Sequence, residues 1–243
     1  MTSEAPKMTE ESPKAPVAAP AASSSEDRLA AELRGFGPLG LLAMVVILAG
    51  NLVLGPFRAV PVLVWVWWSR TPWREIGYVR PKSWIGGLAV GIVFGTAFKL
   101  LMKIIVMPLL GAPAVNQAYH DWAGNPAALP WALFLLIVGG GFGEETMFRG
   151  YMFERWGKLF GTGVGAKTAI VLITSGLFGL AHYSVQGLAG MEQAIITGLV
   201  FGTIFAVTGR LWMLMCAHAA YDVAALAMIY WNLESKVAHL IFK

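Results

Sequence analysis

From Leu39 to Trp231 the chain passes through one apolar run after another, parted by connections too short to form a separate domain. A hydrocarbon core of about 30 Å takes about 20 helical residues, and a helix satisfies all its backbone polar groups internally. Composition agrees. Of 243 residues, 57% are hydrophobic and 13% are charged, with mean hydropathy +0.63. A soluble domain carries about 25% charged residues. The chain is therefore expected to be an all-α, polytopic membrane helix bundle of about seven spans, within a range of six to eight. Ten Trp against six Tyr suit a protein with many interfacial edges.

The apolar runs are residues 39–54, 57–68, 84–110, 131–153, 168–183, 193–208 and 211–231. The second is short and Pro61 interrupts its first turns, so tilting, extension and a re-entrant arm are all open to it. Within the third, Lys99 and Lys103 are four residues apart and share a face, as interfacial anchors or as partners for internal charges. The 69–83 connection holds Arg70, Arg74, Arg80 and Lys82 against Glu75, and the 154–167 connection holds Arg155, Lys158 and Lys167. Short basic loops stay on the cytoplasmic side. That places both connections and the N-terminus there, and a bacterial cytoplasmic membrane is the expected location. The net charge of +4 is spread over these loops and forms no basic domain, so no nucleic-acid partner is expected. Composition does not set an oligomeric state.

Residues 1–36 read as an Ala/Pro/Ser/Glu-rich disordered tail. It ends in a short amphipathic helix with Leu29, Leu33 and Phe36 on one face. Residues 37–243 form the transmembrane domain. The single cysteine, Cys216, cannot form an internal disulfide and is expected to pack as a small hydrophobe.

Ionisable groups are rare at membrane depth unless they have a task or a partner. Glu144 and Glu145 lie side by side in the fourth run, His182 in the fifth, and His218 with Asp222 in the last. Counting 1.5 Å per residue from the helix ends puts Glu144 roughly 14 Å, His218 roughly 12 Å and His182 roughly 20 Å from the inner surface. The three helices can thus bring them to one buried cavity. Glu145 and Arg149, four apart, read as a structural ion pair, which leaves Glu144 free to take a proton from water and return it. His182, one turn after Phe178, would orient that water or ligate a metal. His218 would stabilise an oxyanion, with Asp222 fixing its tautomer or donating a second hydrogen bond.

Two chemistries fit these residues equally. Glu144, His182 and His218 make an adequate zinc or other divalent-metal set with water in the fourth place, although no His-Glu-x-x-His motif is present. A metal-free, glutamate-activated water uses the same side chains. A serine mechanism at Ser175-Gly176 lacks the usual upstream glycine, since position 173 is Ile173, and leaves both glutamates unexplained. Cys216 and His218 point to opposite sides of their helix.

These residues resemble the CPBP family, the membrane-embedded type II CAAX prenyl proteases and bacteriocin-processing (Abi) enzymes. The resemblance rests on Glu144-Glu145-x-x-x-Arg149, Phe178-x-x-x-His182 and His218-x-x-x-Asp222, in that order, each in an apolar run. Trp73-Arg74-Glu75-Ile76-Gly77-Tyr78 is similar to a short interfacial segment found before the family's core. The resemblance implies a protease-like core at about residues 130–225 and an endopeptidase acting on membrane-associated proteins or peptides. In that reading Glu144 and His182 activate water, and His218 and Asp222 form the oxyanion site. Glu145, Arg149 and Phe178 support them. Eukaryotic prenyl-protein enzymes typically carry asparagine where this chain has Asp222. A scaffold or immunity protein that keeps the same polar core is the competing reading, and a proton-coupled transporter is the third, for which no inverted repeat is evident.

Overall fold

A computed structural model describes residues 25–242, and the expectation for the tail before Ser25 lies outside them. The described residues are helices and turns, with no strand. In chain order they are α1 (Ser25–Arg34), α2 (Pro38–Val53), α3 (Val60–Trp68), α4 (Trp84–Leu109), α5 (Leu129–Phe160), α6 (Val164–Thr208), α7 (Trp212–Tyr230) and α8 (Glu234–Ala238). Their outward faces carry Leu42, Val46, Leu52, Ile85, Val93, Leu172 and Leu180 in the open. Such a surface suits lipid and not water.

Four helices, α4 to α7, are long and apolar enough to cross a membrane, and a fifth is reached if α1 and α2, bent by 61°, count as one span. The expected seven is therefore not a set of seven spanning helices. Two causes account for the difference. The expected fifth and sixth runs are one 45-residue element, α6, broken at Gly187 with φ 62° and ψ −159°. That backbone region is essentially restricted to glycine. The break folds α6 back on itself. Lys167 Nζ bonds the Ala206 carbonyl at 2.8 Å, Ser175 lies against Gly198, and Ile195 against Gly179. Arms 164–186 and 188–208 thus run antiparallel.

The second cause lies in the first two runs. α2 has 16 residues and α3 has 9, or about 24 Å and 14 Å at 1.5 Å per residue. They are joined by a tight turn at Gly55–Phe57, and Pro61 packs on Gly50 across the pair. The turn is seated against α5, with the Phe57 ring 5.9 Å from that of Phe134 and Pro56 against Gly139. The second run is an arm that returns beside the first, one of the three forms open to it.

The two ends of the bundle differ. At one end the 69–83 connection meets the α5–α6 and α6–α7 connections. Gly77 O accepts from Leu211 N at 3.0 Å. Arg155 donates to the carbonyls of Arg34 and Gly35, each at 2.8 Å, and stacks on Phe36. Trp65 Nε1 bonds the Leu33 carbonyl at 3.0 Å. The amphipathic helix is therefore docked on the bundle, burying Ala30 and Leu33 and leaving Leu29 exposed. At the other end residues 110–128 cross the hairpin of α6 and the end of α7. Gly124 N bonds Tyr230 O at 2.9 Å, and Gln186 Nε2 reaches the Tyr119 hydroxyl at 3.3 Å.

Helix association in lipid depends on close packing because burial in another helix gains little over burial in lipid. α4 lies on α7 through small residues, with Gly91 and Gly95 facing Cys216 and Ala217. We predict that Gly95→Val forces these helices apart at a cost of about 1–3 kcal/mol, read as a lower unfolding temperature in detergent. Gly37→Ala is the control: its φ is −71° and nothing lies within 4 Å of the added methyl, so its unfolding temperature stays that of the parent.

Candidate active site

The central stretch of α5, Leu135–Tyr151, is a π-helix, wider than an α-helix and bonded i→i+5. It carries Gly139, Gly140, Gly141 and Gly143 immediately before Glu144. The absence of side chains there lets neighbours approach. A methyl group on Gly140 would lie 2.5 Å from Asp222 Oδ2, and one on Gly143 would meet Arg58 Cγ at 2.7 Å. The glycine run thus opens the face of α5 through which α7 and the α2–α3 turn reach the glutamates.

The two glutamates point to different neighbours. Glu145 is fully buried. Its Oε1 accepts from Arg149 at 2.9 Å and from His218 Nδ1 at 2.7 Å. The Arg149 guanidinium lies 4.8 Å over the Phe178 ring. Glu145, Arg149 and Phe178 therefore form a braced layer behind His218. Glu144 sits on the open side of that layer. Its Oε1 is ion-paired with Arg58, and its Oε2 lies 3.6 Å from His218 Nε2.

His218 Nε2 is also 3.6 Å from Asp222 Oδ2. Both gaps are longer than a hydrogen bond. His182 Nδ1 contacts the Phe178 carbonyl at 2.8 Å. A carbonyl only accepts, so Nδ1 carries a proton, and in the neutral ring Nε2 holds the lone pair. By the same reasoning Nδ1–H of His218 donates to Glu145, and its Nε2 donates only when the ring is imidazolium.

Glu144, His182, His218 and Asp222 all line one cavity of about 140 Å³, with Phe178 and Gly140 in its wall. The three spaced motifs therefore do meet in space. One expectation changes: Glu144 is not without a partner, because Arg58 reaches it from the α2–α3 turn. On His218, Glu145 holds Nδ1 and Asp222 faces Nε2. Ser175 is outside the cavity, with Oγ donating to the Val171 carbonyl at 2.6 Å. Cys216 is buried against Gly91.

Arg58 and Tyr119 are among the cavity residues that sequence reading passed over. Arg58 is a charge inside an apolar run, a signal of the kind that singled out the glutamates. Tyr119 lies on the 110–128 loop and carries no such signal. Burial pushes its phenol up to about 12, so it stays protonated at neutral pH. Its oxygen accepts from Gln186, which leaves the O–H proton free to donate.

Among the described residues, no three His, Cys, Asp or Glu side chains are grouped to hold a metal ion. The Arg58 guanidinium also occupies one oxygen of Glu144, the carboxylate in the expected metal set. In this arrangement Glu144, His182 and His218 do not fit a metal, and the chemistry below is derived without one.

No curated protein and no solved structure matches the chain. Residues 126–224 match the family described as Rce1-like, type II CAAX prenyl endopeptidase Rce1-like. That stretch contains all seven motif residues from Glu144 to Asp222 and leaves out Arg58, Lys99 and Tyr119. The resemblance carried by the three motifs is thus met by a family match over part of the chain, residues 126–224.

Proposed function

We propose that the protein is an intramembrane endopeptidase that cleaves membrane-associated proteins or peptides with a water activated by Glu144. The observation that carries this reading is the shared cavity of about 140 Å³, large enough for water, lined by a carboxylate and two imidazoles from three helical segments. Arg58 anchors Oε1 of Glu144, so Oε2 is the oxygen available to the water. That oxygen takes a proton as the water attacks the peptide carbonyl carbon. The Nε2 lone pair of His182 accepts the second water hydrogen and orients the nucleophile. His218, as imidazolium held by Glu145, donates Nε2–H to the oxyanion. The carbon–nitrogen bond then breaks as Glu144 passes its proton to the leaving amine. This is general acid–base catalysis with one carboxylate in both roles.

The cavity lies toward the end of the bundle covered by residues 110–128, since Asn116, Tyr119 and Trp122 line it. The basic connections gather at the other end. With those on the cytoplasmic side, the substrate enters from the non-cytoplasmic side.

Zinc remains the alternative chemistry for Glu144, His182 and His218, and it requires Arg58 to leave Glu144. Elemental analysis of the purified protein separates the two: stoichiometric metal whose removal abolishes cleavage overturns the metal-free reading.

Three outcomes follow. Glu144→Gln lowers cleavage by about 10²–10⁴-fold while the protein still inserts and unfolds at its normal temperature. A comparison of membrane-bound fragments in wild-type and Glu144→Gln cells reads this, and identical fragment sets would favour the scaffold. Arg58→Ala strands a buried carboxylate and destabilises the parent more than it destabilises Glu144→Gln, with a coupling of about 0.5–3 kcal/mol in a double-mutant cycle. Cys216 is buried, so single added cysteines report topology. An impermeant maleimide labels Asn125→Cys in intact cells and Thr162→Cys only after the cytoplasmic face is opened, and the reverse pattern refutes the assigned orientation.

A further inference from the structure

Lys99 is 6% exposed and lies in the membrane-spanning part of α4. A lysine buried at that depth is costly without a counter-charge. The other buried or half-buried cations near it have one: Arg58 pairs with Glu144, Arg149 with Glu145 and Lys103 with Glu234. Lys99 has no carboxylate within 4 Å among the described residues. Its Nζ donates to the neutral Gln193 amide oxygen at 3.0 Å and sits 4.8 Å over the Tyr221 ring. An ammonium has three N–H donors, so two remain after Gln193.

Lys99 also stands where two cavities meet. Beside the catalytic cavity is a larger one of about 460 Å³, and both are lined by Lys99, Asn116, Gln186 and Gln193. The second cavity has apolar walls at Met107, Val185 and Met228. Its size is that of a small-ligand site, in which a few polar groups set orientation among apolar walls. The larger cavity therefore offers room for apolar side chains and ends on a cation facing the catalytic cavity.

We propose that this adjoining cavity binds a carboxylate-bearing segment of the peptide substrate, with Lys99 as the specificity-determining cation. The proposal rests on the endopeptidase reading for the word substrate, but the binding itself needs no cleavage. A peptide has two sources of carboxylate, its free C-terminus and an aspartate or glutamate side chain, and Lys99 recognises either by the same charge-assisted hydrogen bond.

The test uses the full-length protein in lipid nanodiscs and fluorescence anisotropy. Three probes are compared: dansyl-Gly-Val-Leu-Met as the free acid, the same peptide as the C-terminal amide, and the amide with glutamate in place of leucine. The Glu144→Gln background prevents turnover. The expected result is that the free acid or the glutamate amide binds about tenfold or more tightly than the neutral amide. Preference for the acid assigns the C-terminus, and preference for the glutamate amide assigns the side chain. Lys99→Met removes the preference, while Lys99→Arg retains part of it. If Lys99→Met does not fold, Val185→Trp, at an exposed position of the cavity wall, is expected to weaken acid binding by filling the site. Equal binding of all three probes, binding of none, or a preference that survives Lys99→Met overturns the proposal. A catalytically silent protein that still shows the Lys99-dependent preference would sink the endopeptidase reading and leave the anion site standing.

Discussion

A charge cannot sit alone among apolar helices, and the architecture of this protein follows from how its internal charges are paired. Arg149 and His218 both hold Glu145, and Arg58 holds Glu144. These contacts link α5 to α7 and to the α2–α3 turn. Removing one partner of a buried pair costs about 3–5 kcal/mol because the other is left uncompensated. The pairing therefore constrains three elements at once. It also separates two adjacent glutamates into different environments, one held by two donors behind the cavity and one with an oxygen facing it.

Close approach makes that pairing geometrically available. Helices in lipid are drawn together by packing and by hydrogen bonds, so a side chain at the contact keeps them apart. The glycine run of α5 removes that obstacle where Asp222 and Arg58 arrive. Gly187 does the corresponding service for α6 by reversing it, and the reversal places His182 beneath the loop that carries Tyr119. The cavity is thus formed by backbone shape as much as by the ionisable residues that line it.

The family match spans the motif-bearing helices and leaves out α2, α3 and α4. Those outer elements supply Arg58 and Lys99, the cations that border the cavity. The matched core accordingly contains the groups proposed to perform hydrolysis. The loop over the cavity mouth, with Tyr119 stacked on Trp122 at 4.7 Å, also lies mostly outside the match.

The amino-acid order by itself determined the membrane class, the all-helical fold and the set of residues at Glu144, Glu145, Arg149, Phe178, His182, His218 and Asp222. Hydropathy and ionisable groups within apolar runs are local signals, and local signals survive without a structure. The number of full spans was not legible that way, because a run of apolar residues does not reveal whether it crosses or turns back, as after Gly55. Partner choice was also hidden. Helical spacing pairs Glu145 with Arg149, but only packing brings Arg58 to Glu144 across 86 positions of sequence and gives the Nδ1 proton of His218 to Glu145 instead of Asp222. Short-range periodicity reports which face of a helix a side chain occupies; which other helix meets that face is decided by tertiary contact, and here that contact assigns each charge its counter-charge.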